Sequence, residues 1–109
     1  MEWTEAGVDD QDYQVVKISG DCDLYSAPSF TRAMTKRIEE GVRRLKLDLT
    51  DVKYLDSTGV GSLIKILQTA KSSGCAMLFR GISGSPRRVL QMSNILLLMK
   101  EEDQTGGKP

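Results

Sequence analysis

Apolar residues along this chain keep two periods, and the changes between the periods mark out its elements. Trp3, Ala6 and Val8 suggest a first edge strand, closed by a turn at Asp9-Asp10-Gln11-Asp12. Val15, Val16 and Ile18 predict a central strand over residues 13–19. The period then lengthens: Ala27, Phe30, Ala33, Met34 and Ile38 form one face of a helix that opens at Ser26, carries Pro28 in its first turn and closes near Gly41. Leu45, Leu47 and Leu49 alternate with Lys46, Asp48 and Thr50, the pattern of a half-buried strand, and Val52 and Leu55 prolong it. Beyond Leu55 the step returns to three and four. Val60, Leu63, Ile64, Leu67 and Ala70 place an apolar stripe on a helix over residues 60–71, which Ser73-Gly74 terminates. The unbroken apolar run 75–79 suits a strand buried on both faces. Ser85 is placed as the cap of a further helix with Pro86 at its first position and Val89, Leu90 and Met92 available to the core. Residues 95–99 read as a last edge strand or short helix, and from Glu101 onward the chain reads as a mobile tail.

Strands alternating with helices imply an α/β layer architecture. At 109 residues the chain has room for one domain, assigned to 1–100, with 101–109 as the tail. Fifteen basic residues balance fifteen acidic ones, so no net field recommends nucleic acid or an anionic membrane as a partner. The N-terminus lacks the basic and apolar segments of a secretory leader, no apolar run approaches membrane-spanning length, and a cytoplasmic location is the default expectation. Histidine is absent, which removes Ser-His-Asp and Cys-His catalysis along with histidine-based metal sites. Cys22 and Cys75 form no Cys-x-x-Cys pair and read as reduced, apolar fillers. Asp48-Leu49-Thr50-Asp51 lacks the Asp-x-Asp-x-Thr order of a phosphoaspartate enzyme, Gly59-Val60-Gly61 lacks the Gly-Lys-Ser/Thr ending of a P-loop, and the aspartates near residue 10 lack the order of a calcium loop. A non-enzymatic module is expected.

Chemistry concentrates where the Leu-rich strand gives way to the following helix, at Asp56-Ser57-Thr58-Gly59-Val60-Gly61. The first turn of a helix leaves backbone N–H groups unpaired and carries partial positive charge, so anions are favoured there. Asp56, Ser57 or Thr58 supplies a capping oxygen, while Gly59 and Gly61 leave the backbone open to approach. Capping alone accounts for such a pattern.

The same segment also resembles the phosphorylation loop of STAS domains, which include the bacterial anti-sigma factor antagonists. The resemblance extends to Ile18-Ser19-Gly20-Asp21-Cys22-Asp23, similar to the Gly-Glu-Leu-Asp signature before the first helix of that family, and to residues 82–95, similar to its third helix. Cys22 stands where family members usually carry Ile or Leu. The resemblance implies a single STAS-like domain with a mixed sheet of four to five strands and helices mainly on one side. It implies an anti-sigma factor antagonist that binds an anti-sigma factor and so releases a sigma factor, with Ser57 as the phosphorylation site. Asp21, Asp23, Asp56, Thr58, Gly59, Val60 and Gly61 are then the partner-binding residues. The implied partner is itself an ATP-dependent serine kinase, with ATP and magnesium held by the kinase, and a separate phosphatase resets the serine. A STAS subunit of a transport system, or a scaffold of a stress-signalling complex, is the alternative, and nucleotide binding at the glycine-bearing helix start is a third.

Overall fold

The computed structural model describes residues 1–102, in the order β1 (Glu2–Val8), β2 (Gln14–Cys22), α1 (Ala27–Glu39), β3 (Arg44–Leu55), α2 (Ser57–Ser73), β4 (Ala76–Arg80), α3 (Gly84–Met92) and a 3-10 turn, Leu96–Leu98. The sheet runs β1-β2-β3-β4, with β1 antiparallel to β2 and the other neighbours parallel. Parallel neighbours need a crossover helix, and such crossovers are almost always right-handed. Two of them stepping the same way across the sheet place α1 and α2 on the same face. The mixed sheet with helices on one side is therefore as expected.

Register explains how each strand divides its residues between two layers. Val16, Leu47 and Phe79 lie side by side facing the helices, and all three are fully buried with Phe30, Met34, Ile38, Ile66 and Leu90. Trp3 on β1, paired with Ile18 on β2, packs its ring 5.9 Å from that of Phe30. On the opposite face the row Val15, Lys46, Leu78 is followed by Lys17, Asp48, Arg80. Here the half-buried reading of β3 needs correction, because Lys46 is 2% and Asp48 5% exposed. Lys46 pairs with Asp9 from the β1–β2 turn and with Glu102, while Arg80 pairs with Asp48 and Glu102. A charge excluded from water is tolerable only when paired in this way. Burial works against the Lys46 ammonium, yet Asp9 and Glu102 hold its pKa above the ordinary lysine value.

Those pairs also move the boundary of the fold. Glu101 and Glu102, assigned to a mobile tail, belong to the domain: the Phe79 N–H donates to the Lys100 carbonyl, the Glu102 N–H donates to the Phe79 carbonyl, and Arg87 grips both carboxylate oxygens of Glu101. The rest of the expected tail, 103–109, lies outside the described residues. Three further expectations change. The stripe of α2 turns on Val60, Leu63, Ile66 and Ala70, with Ile64 39% exposed, because the helix packs against α1 as well as the sheet. Helix α3 starts at Gly84 with Ser83 at its cap position, so Ser85 lies inside the first turn with Pro86, where unpaired N–H groups make proline tolerable. Met92 is 78% exposed and adds nothing to the core, whereas Ile95 and Met99 are buried around the 3-10 turn.

Candidate functional site

Strands β2 and β3 run side by side to their ends, and this brings two strand-to-helix junctions together. Asp21 pairs with Tyr54 and Cys22 with Leu55, and one residue further the Asp56 N–H donates to the Cys22 carbonyl at 3.3 Å. A positive φ at Gly20 (93°) with a register shift beside it lets β2 turn into the first junction. The two segments that carry the resemblance are thereby neighbours.

Each junction is closed by an aspartate. In the first, Asp23 Oδ1 accepts from the Tyr25 and Ser26 N–H groups, and the Ser26 hydroxyl reaches back to the Asp21 carbonyl at 2.8 Å. These N–H groups, with that of Ser26 foremost, hold the Asp23 carboxyl below the usual range. Ser26 occupies the cap position of α1 but its side chain makes no capping bond, so the capping role expected of it is not filled; the Ala27 N–H donates instead to the Asp23 main-chain carbonyl at 2.9 Å. In the second, Asp56 is the cap of α2: its Oδ1 accepts from the Gly59 N–H at 3.0 Å. That decides which of Asp56, Ser57 and Thr58 closes the helix. Ser57 is the first helical residue and is exposed, and Thr58 is half-buried beside α1.

The two glycines of the motif part company. A Cβ on Gly59 would lie 2.5 Å from Leu55 Cδ1 and 2.8 Å from the Cys22 carbonyl oxygen, whereas one on Gly61 would meet nothing within 4 Å. Gly59 is needed so that the two junctions can touch. Gly59 and Val60, placed in the contact surface by the sequence reading, are turned inward instead, while Asp21 and Gly61 are exposed and Asp23, Asp56 and Thr58 half-buried. Cys22 is 1% exposed, and burial, helped by the carboxylates of Asp56 and Asp23, pushes its thiol up to about 11. It is a protonated packing group, as expected.

Tertiary structure adds residues that periodicity passed over. Leu24 and Tyr25 are 60% and 89% exposed in the first junction, and Tyr54 is 46% exposed beside Asp21. Their signal was present in the chain, as large apolar residues off any buried stripe. Between α1 and α2 lies a shallow groove of about 240 Å3 bordered by Pro28, Thr31, Thr58 and Lys65. Its volume falls below the ~300–1,000 Å3 of typical small-molecule sites, which argues against a nucleotide there. The two touching junctions thus carry the exposed Ser57, the carboxylates of Asp21, Asp23 and Asp56, and the exposed Leu24, Tyr25 and Tyr54.

The model of the STAS domain family matches residues 7–105, and the chain belongs to that family. An anti-sigma-B factor antagonist of Staphylococcus aureus is 27% identical over 101 residues, covering 93% of each chain. Among solved structures, a putative anti-sigma factor antagonist of Thermotoga maritima superposes with a TM-score of 0.75 at 24% identity, over 91% of this chain and 85% of that one. The Bacillus cell fate determinant SpoIIAA in its phosphorylated form does so with a TM-score of 0.70 at 17% identity, over 96% and 95%. At these identities the solved structures speak for the fold. Among the described residues no helix is long and apolar enough to cross a membrane.

Proposed function

We propose that this chain is an anti-sigma factor antagonist, a binding module without catalysis of its own, whose affinity for the anti-sigma factor is set by phosphorylation of Ser57. The observation that carries the reading is the position of Ser57: exposed, first in α2, and spared from capping because Asp56 does that work. The unmodified hydroxyl sits in a contact surface made by Asp21, Asp23, Asp56, Thr58 and Gly61 with Leu24, Tyr25 and Tyr54 around them. A phosphate brings about −1.5 to −2 charges to a surface already carrying three carboxylates. The free domain tolerates this, since the positive end of the α2 dipole stabilises an anion by ~0.3–1 kcal/mol. The complex does not, so the modified form lets the anti-sigma factor return to its sigma factor.

On this reading the anti-sigma factor is also the serine kinase, supplying ATP and magnesium, a phosphatase restores the hydroxyl, and the exchange takes place in the cytoplasm. The relatives reported above are named for antagonism of anti-sigma factors, which favours this reading over a subunit of a transport system. Incubation with the kinase and ATP, followed by site-resolved mass spectrometry and calorimetric titration, tests it. The expected result is phosphate on Ser57 alone, with binding weakened at least tenfold. Label on Thr58 or Ser26, or undiminished binding of the modified form, overturns it.

A further inference from the structure

Away from Ser57, the second half of α2, β4 and the chain from the end of the 3-10 turn onward enclose an open groove of about 400 Å3. That volume lies within the ~300–1,000 Å3 range of small-molecule sites. Its floor is apolar and buried, formed by Ala70, Cys75 and Met77. Its walls are mostly apolar and wet: Ile64 is 39% and Leu98 71% exposed, with Leu67 beside them and Gln68 as the one uncharged polar side chain. Apolar side chains left in water around a concave, apolar floor mark a surface that gains free energy when covered.

The rim carries charge of one sign only. Lys71 and Lys100 line the groove and no Asp or Glu does. Neither lysine takes part in an ion pair among the described residues, although the acidic side chains elsewhere in the domain have drawn Arg37, Lys46, Arg80 and Arg87 into pairs. Lys71 stands in the last turn of α2, where the negative end of the dipole favours an ammonium at rest. An apolar trough edged by two ammonium groups is complementary to an amphiphile with a flexible alkyl chain and one anionic head. A flat aromatic ligand would leave the trough's open walls in water, and a neutral lipid would leave both lysines unused.

We propose that this groove binds a free medium-chain carboxylate, with the alkyl chain over Ala70, Cys75 and Met77 and the head group on Lys71 or Lys100. The centre of the groove lies about ten residues beyond Ser57, which at ~1.5 Å per residue is about 15 Å along the helix. The site is separate from the serine surface and does not rest on the function proposed for it.

Titration of the full chain with sodium decanoate below its micellar concentration, followed by two-dimensional proton–nitrogen NMR, tests the site. Saturable shifts are expected at residues 64–71, 75–77 and 98–100, with none at 56–61. Decanol, which has the same chain and no charge, should bind at least tenfold more weakly than decanoate. The double variant K71E/K100E should lose at least tenfold in decanoate affinity. Leu98→Asp, a change at an exposed wall position, should abolish binding while the thermal melt is kept. The proposal is overturned if no saturation is reached, if decanol binds as tightly as decanoate, or if charge reversal leaves affinity unchanged. Binding to phosphatidylglycerol vesicles without binding to decanoate would overturn it in favour of a membrane surface. Shifts of the same amides on dilution of the protein alone would overturn it in favour of a second copy of the chain.

Discussion

Ser26 and Ser57 stand at the openings of neighbouring helices, each a short step after an aspartate, yet only one of them is free. Ser26 holds the cap position of α1, and its hydroxyl is tied to the Asp21 carbonyl and to the Asp23 carboxylate. At α2 the cap position belongs to Asp56, which satisfies the Gly59 N–H and moves the serine one residue into the helix, facing solvent. Similar residues in similar settings thus end as a structural bond in one junction and an available nucleophile in the other. The difference lies in which residue takes the cap, because a hydroxyl that closes a turn is neither exposed nor at liberty to accept a phosphate.

The sharpest way to break this comparison is to place a charge at the free serine. Ser57→Asp should bind the anti-sigma factor at least tenfold more weakly than Ser57→Ala, since like charges brought together across an interface cost several kcal/mol and ~1.4 kcal/mol is already tenfold. Both proteins should melt as the parent does. Calorimetric titration beside thermal melts reads both quantities, and equal affinities for the two variants would return Ser57 to a purely structural role.

A smaller effect is expected where the two junctions touch. Gly59→Ala forces a methyl group against Leu55 and the Cys22 carbonyl, an overpacking that costs about 1–3 kcal/mol. Gly61→Ala, two residues on and facing open space, should instead stabilise the domain by up to about 1 kcal/mol through helix propensity. Opposite shifts of the urea midpoint would confirm that one glycine serves packing and the other does not.

The caps themselves come next. Asp56→Ala removes the acceptor of the Gly59 N–H and should cost about 0.5–2 kcal/mol by chemical denaturation. If the Ser57 hydroxyl rotates to replace it, the loss will be near zero and phosphorylation will slow, which would erase the contrast between the two serines.

Acid should produce the most gradual change. Asp9, held by the Lys46 ammonium and the Tyr13 N–H, has its carboxyl lowered from the ordinary 3.8 to about 2. Glu102 is lowered by Arg80 and Lys46, Glu101 by Arg87 and Asp23 by Ser26. A depressed carboxyl binds fewer protons folded than unfolded, so its contribution is complete above the unfolded pKa and is lost as pH falls through the folded one. Melting temperature should therefore hold down to about pH 5, begin to decline as pH falls through the ordinary values of 4.5 for the two glutamates and 3.8 for Asp9, and go on falling towards pH 2. Asp9→Asn should flatten that decline, and an unchanged slope would show that the buried lysine network is not what acid undoes.

Much of this molecule follows from the chain alone. The alternation of Leu45, Leu47 and Leu49, the three-and-four spacing of the helices, and the Asp-Ser-Thr-Gly-Val-Gly joint made the element order and the position of Ser57 legible, because period and turn chemistry are local properties. Three things were decided only by the assembled fold. The charges of Lys46 and Asp48 are buried because residues distant in sequence, Asp9, Arg80 and Glu102, arrive to neutralise them, and no alternation within one strand records its partners. Ile66 displaced Ile64 from the core because α2 packs on α1 as well as on the sheet, which rotates its buried arc. Gly59 proved to be a packing residue because the Cys22 carbonyl lies against it, and that contact exists only once β2 and β3 have run parallel to their ends. Local chemistry placed Ser57 at the start of α2; long-range packing settled which of its neighbours face solvent and which face the core.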